Sequence, residues 1–123
     1  MKNKTVYIET EKRKIPLVFN LNVMEEIQEQ YGSLKKWGEV TKGDGESKIK
    51  DLKAGISAMI NEAIEIENEE NGTNETPLSE KQIGRVMTEV GIQVIVEKIK
   101  EITIASTQSG DNDGKTSNPR NRR

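Results

Sequence analysis

The sequence predicts a small, mainly α-helical domain that opens on a β-hairpin: an α+β chain of four to five helices with a disordered polar tail. Three observations carry this reading. Apolar residues alternate singly at the N-terminus and then recur at spacings of three and four as far as Ile104, which are the periods of a strand and of a helix. From Ser106 the chain is almost wholly Ser, Thr, Gly, Asn, Asp, Lys and Arg, and such a segment buries too little apolar surface to offset the entropy of ordering it. The expected organisation is a hairpin plus helical domain over 1–105 and a disordered tail over 106–123.

Lys4 to Glu9 place Val6 and Ile8 on one side and Thr5, Tyr7 and Glu9 on the other. After a charged turn over Thr10 to Lys14, Ile15, Leu17 and Phe19 repeat the alternation, as a hairpin requires. Pro16 has no amide to donate, so its position must face an edge or fall outside the ladder. A lone pair of strands is marginal and needs helices, or another chain, on its apolar face. The next helix carries Val23, Met24, Ile27 and Tyr31 within roughly 100° of arc, and leaves Glu25, Glu26, Gln28 and Glu29 to water. Asn22 is its expected N-cap and Gly32 its left-handed stop.

Ser33 is placed to cap a short second helix bearing Leu34, Trp37 and Val40, which ends in the breaker-rich Thr41-Lys42-Gly43-Asp44-Gly45. The long helix follows from about Ser47 to Ile66. Its residues Ile49, Leu52, Ile56, Met59, Ile60, Ala63 and Ile64 share an arc of roughly 140°, while Lys50, Asp51, Ala54, Ala58, Glu62 and Glu65 make up the remainder. The same count puts Glu67 in the apolar face, so the helix should leave the core there. Between Glu62 and Glu75 lie six carboxylates and no base. Their spacing departs from a calcium loop, which needs Gly at the sixth position and Glu at the twelfth, so a solvated helix end and linker is the better reading.

Ser79 and Gln82 form a capping box, with Leu78 and Ile83 as its hydrophobic staple, so a helix begins at Glu80. It turns Ile83, Val86, Met87 and Val90 inward and is punctuated at Gly91. Ile92, Ile95, Val96, Ile99 and Ile102 then mark one face of a last helix to about Ile104. The tract is rich in β-branched residues, yet its spacing by three and four over a dozen residues is not a strand period.

Composition narrows the chemistry. Of 123 residues, 32% are hydrophobic, 33% charged and 3% aromatic, with no histidine and no cysteine. Disulfides, thiolate nucleophiles, the usual zinc ligand sets and the commonest neutral-pH base are therefore excluded. No Gly-rich phosphate loop, nucleophile elbow or paired-carboxylate motif assigns a role to the remaining groups, so neither catalytic residues, a cofactor nor a metal is expected. The net charge of −2 gives no global attraction to nucleic acid or anionic lipid. With no long apolar run, a cytoplasmic protein off the membrane is the expectation.

Three residues stand out as candidates for partner binding. Trp37 is the only tryptophan, and it reads either as an interface anchor or as a core plug sharing a face with Leu34. Val94 and Ile104 point away from the main face of the last helix, at roughly 200° and 120° from Ile92. They mark either a second contact or a helix sandwiched between the long helix and the hairpin. Leu78 to Ile99 invites a DNA-reading helix-turn-helix, but Gly91 alone is too short a turn and Glu97 and Glu101 would face phosphates. Arg120, Arg122 and Arg123 leave open a small regulatory or nucleic-acid-associated adaptor acting through its basic tail.

A hairpin followed by a helix reading hydrophobe-Glu-Glu-hydrophobe and ending Tyr31-Gly32-Ser33-Leu34, then a longer central helix, the Leu78-Ser79-Glu80 start and the Gly91-Ile92 continuation, resembles the small tail assembly chaperones of long-tailed bacteriophages and prophages. The resemblance covers about Val6 to Ile104, and the tail after Ser106 has no counterpart in it. It implies a non-enzymatic protein of the bacterial host cytoplasm, absent from the mature virion. Such a protein coats the aggregation-prone tape measure protein while tail tube subunits are recruited. Tape measure and tail tube proteins are then the implied partners, and a homo-oligomer fits the same reading.

Overall fold

A computed structural model describes residues 4–42 and 47–113 of the chain. Strands β1 (Val6–Glu9) and β2 (Lys14–Leu17) form an antiparallel hairpin, followed by helices α1 (Leu21–Tyr31), α2 (Leu34–Lys42), α3 (Ser47–Asn71), α4 (Glu80–Val90) and α5 (Ile92–Asp113). The expected class, a mostly helical chain opening on a two-stranded hairpin, is what the structure shows.

Val6 pairs with Leu17, Tyr7 with Pro16, Ile8 with Ile15 and Glu9 with Lys14. The Thr10 amide donates to the Arg13 carbonyl at 2.9 Å just beyond the strands. Counting back from that bonded pair, alternation puts Tyr7 and Pro16 at a non-hydrogen-bonded pair, where the missing amide of Pro16 removes nothing from the ladder. Val6 and Ile8 are buried, whereas Tyr7 stays 42% exposed. Strand β2 is buried at Pro16 as well as at Ile15 and Leu17. Its continuation docks on α3, with the Val18 amide donating to the Met59 carbonyl at 3.3 Å.

The cap of α1 differs from expectation. Asn20, not Asn22, accepts the Val23 amide at 3.1 Å and starts the helix at Leu21. Asn22 lies inside the first turn, and its amide donates to Glu62 Oε2 at 2.9 Å, beside a second bond to the same oxygen from Asn20 Nδ2 at 2.8 Å. With two asparagines flanking Leu21, hydrophobic periodicity alone does not separate cap from first turn. Gly32 at φ 87° ends α1, donating to the Gln28 carbonyl. Ser33 then caps α2 by accepting the Lys36 amide at 3.0 Å.

Helix α3 is longer and more deeply covered than its pattern suggested. Strand β2 and all four other helices pack on it. Buried positions span roughly 240° of its circumference, because Gly55, Asp51 and Ala58 join the apolar arc. Asp51 and Ala58, expected on the solvent side, are 8% and 5% exposed, while Ile49, expected in the core, is 57% exposed. Burial starts at Asp51, so Ile49 lies on an uncovered first turn. Beyond Ile66 the helix runs to Asn71 before Gly72 at φ 66°. Glutamates are good helix formers and need no core to continue it.

The linker to α4 is ordered by two asparagines of α3. Asn61 donates to the Leu78 carbonyl at 3.2 Å and accepts its amide at 2.9 Å, and Asn68 Oδ1 accepts from the Glu75 amide and the Thr73 hydroxyl at 2.9 Å each. The capping box forms as expected between Ser79 and Gln82. Gly91 at φ 93° closes α4 and leads directly into α5. Helix α5 buries Ile95, Ile99 and Ile102 and packs against α3, α4 and β1. Its backbone continues through 106–113, the first residues of the expected tail. The rest of that tail, 114–123 with its three arginines, lies outside the described residues, as do residues 43–46.

Trp37 is 5% exposed. Its indole N–H donates to the Asp51 carbonyl at 3.0 Å, and a Cβ placed on Gly55 would overlap the ring, whereas one on Gly38 meets nothing. Gly55→Ala should therefore destabilise the fold by about 1–2 kcal/mol, overpacking outweighing the gain in helix propensity, while Gly38→Ala should be neutral or stabilising. Denaturant titrations followed by Trp37 fluorescence check both.

Asp51 also accepts the Tyr31 hydroxyl at 2.7 Å. Burial first, then this bond and the Asp51 charge, push the Tyr31 phenol from 10.0 up to about 12. The folded state holds the proton more tightly than the unfolded chain, so the resulting stability is complete below pH 10 and is lost as pH climbs through about 12. Solvent reaches the ring, which limits the effect to the order of 1 kcal/mol. Tyr31→Phe should remove the late step from a tyrosinate absorbance titration and flatten the alkaline loss of stability.

Candidate functional site

Helix α5 packs on both α3 and β1, and where the hairpin turn meets the α4–α5 junction the surface folds into two shallow grooves. Their shared wall is Glu89, near the end of α4, together with Thr10 of the turn. The Glu11 amide donates to Glu89 Oε2 at 2.8 Å, which ties the turn to the helix. The turn is closed by its own bonds, Thr10 to Arg13 in both directions. These grooves are therefore bounded by hydrogen-bonded backbone rather than by a free loop.

One groove is lined by Glu9, Glu11, Val90, Val94 and Lys98. Val94 is half-buried there, an apolar patch among charges of both signs. Lys98 lies 3.9 Å from Glu101 on the same helix, a loose surface pair of little energetic weight. The other groove has an apolar floor of Ile15, Leu78 and Val86 and basic sides from Lys12, Arg13 and Arg85. Arg13 reaches Glu75 at 3.6 Å, with both side chains largely in water.

The three residues singled out from the sequence are not brought together. Trp37 is inside the core on the α2–α3 side, held by Asp51 and Gly55, so the core-plug reading describes its position and its ring offers no anchor to a partner. Val94 lines the groove just described. Ile104 is 53% exposed and lies about 15 Å farther along α5 at 1.5 Å per residue. Tyr7 at 42% and Leu21 at 70% exposure are further apolar surface that the candidate set did not include.

The basic groove was also missed. Gln82, Arg85, Val86 and Glu89 stand at i, i+3, i+4 and i+7 on α4, a stripe visible in the sequence. What the stripe faces depends on where the hairpin turn lands, which periodicity does not encode. Among the described residues no group of three or more Asp or Glu is placed to hold a metal ion, and no helix is long and apolar enough to cross a membrane.

No protein-family model, no curated protein and no solved structure matches the chain.

Glu89→Gln keeps an acceptor for the Glu11 amide but removes the charge. It should lower stability by no more than about 0.5 kcal/mol, whereas Glu89→Ala, which removes the acceptor, should cost about 1 kcal/mol. Amide hydrogen exchange at Glu11 should accelerate in the alanine variant and much less in the glutamine one.

Proposed function

We propose that this chain is a tail assembly chaperone of the long-tailed phage type, binding a tape measure protein, keeping it soluble and helping to recruit tail tube subunits during tail morphogenesis. The observation that carries the reading is the order of its elements with their residues: a hairpin, a Glu-rich helix ending Tyr31-Gly32-Ser33-Leu34, a long central helix, the Leu78-Ser79-Glu80 start and the Gly91-Ile92 continuation. The function requires no bond to be made or broken. It requires apolar surface offered to a helical client by a body that stays soluble, and the Val94 groove with the exposed Tyr7, Leu21 and Ile104 supports that, set among glutamates.

Each of these patches is small, so affinity for a long client would come from many copies bound along it. Self-association into a homo-oligomer belongs to the same picture. The protein would act in the bacterial host cytoplasm and be absent from the mature virion.

Co-expression with a tape measure protein encoded beside it should raise the client's soluble fraction several-fold. Val94→Glu combined with Ile104→Glu should reduce that gain, and deletion of 106–123 should leave it intact. A client equally soluble alone would refute the proposal. Salt-sensitive DNA binding that disappears with the deletion would instead support the adaptor acting through the basic tail.

A further inference from the structure

We propose that the groove between the hairpin turn and α4 is a docking site for an acidic polypeptide segment, with apolar side chains of that segment seated on Leu78 and Val86 and its carboxylates on Lys12, Arg13 and Arg85. The charge arrangement carries this. The chain as a whole is net negative, at −2, yet three cations meet at one shallow groove. Lys12 and Arg85 have no ion-pair partner among the described residues, and Arg13 has only the solvated contact with Glu75 at 3.6 Å. One carboxylate, Glu89, shares the lining and accepts the Glu11 amide at 2.8 Å.

The floor decides between classes of anion. Leu78 and Val86 are half-buried and pack on the core from its edge, so apolar surface is offered beside the three cations. A phosphodiester backbone makes no use of such a floor, and Glu89 in the lining and Glu75 beside Arg13 set negative charge against a polyanion. A peptide with apolar residues between glutamates or aspartates meets both features. Arginine adds planar, bidentate recognition of carboxylate. The inference does not depend on the chaperone reading, since it concerns the chemistry of one groove.

Fluorescence anisotropy with the full chain tests it, using a labelled Glu-Leu-Glu-Glu-Leu-Glu peptide and a matched Lys-Leu-Lys-Lys-Leu-Lys peptide at low salt. The acidic peptide should bind and the basic one should not. Lys12→Glu with Arg85→Glu should weaken acidic-peptide binding by at least roughly tenfold and create binding of the basic peptide, with circular dichroism unchanged. That gain would exclude loss of fold as the explanation. Three results overturn the proposal: no binding of the acidic peptide, binding indifferent to the double reversal, or displacement of the peptide by duplex DNA or inorganic phosphate at equal charge concentration.

Discussion

Strand β2 and four helices all pack on α3, and the need to wrap that one helix governs the rest of the molecule. With aromatic residues at 3% of the chain, the core is filled by Ile, Val, Leu and Met, each contributing about 1.5–3 kcal/mol when fully buried. Side chains of that size fill a small core only if a central element is covered nearly all round. Leu52, Ile56, Met59, Ile60, Ala63 and Ile64 supply one side of α3. Gly55 opens the other by admitting the Trp37 ring against the helix backbone.

That second side is also where polarity enters the core. Asp51 is buried among apolar neighbours, a placement that costs several kcal/mol for an unpartnered carboxylate. Here its side chain accepts the Tyr31 hydroxyl and its main-chain oxygen accepts the Trp37 indole. One residue of α3 thus fixes the end of α1 and the middle of α2 together. Asparagines do comparable work elsewhere, Asn61 and Asn68 holding the linker by its backbone and Asn20 joining the α1 cap to Glu62. Of these bonds, those of Asp51, Asn61 and Asn20 join residues 14 to 42 apart in sequence, while those of Asn68 span only five to seven.

This division explains what was legible in the sequence. Hairpin, caps at Ser33 and Ser79, stops at Gly32 and Gly91, and the inward faces of α1, α4 and α5 all follow from local chemistry, since each depends on residues within a turn of one another. On α3, Asp51 and Ala58 were misplaced for one reason, and Ile49 for another, the uncovered first turn. A hydrophobic arc reports one covered face, and burial of Asp51, Gly55 and Ala58 is imposed by α1 and α2 folding back from outside any local window. Asn22 was mistaken for the cap because an asparagine two residues away had the same local credentials. At the surface, Val94 was found because it broke a helical period, while Lys12, Arg13 and Arg85 break none. Their grouping exists only once the hairpin turn is laid against α4.

How the turn is laid there bears on what the two grooves can do. Glu89 is their shared wall, and its bond to the Glu11 amide sets how the turn is presented. It fixes the turn, so that Lys12 and Arg13 are presented from a hydrogen-bonded backbone and a ligand has less entropy to remove on binding. The same carboxylate remains part of the lining, one acidic side chain beside Lys12, Arg13 and Arg85. The grooves remain shallow and their charges solvated, so neither forms a strong contact alone.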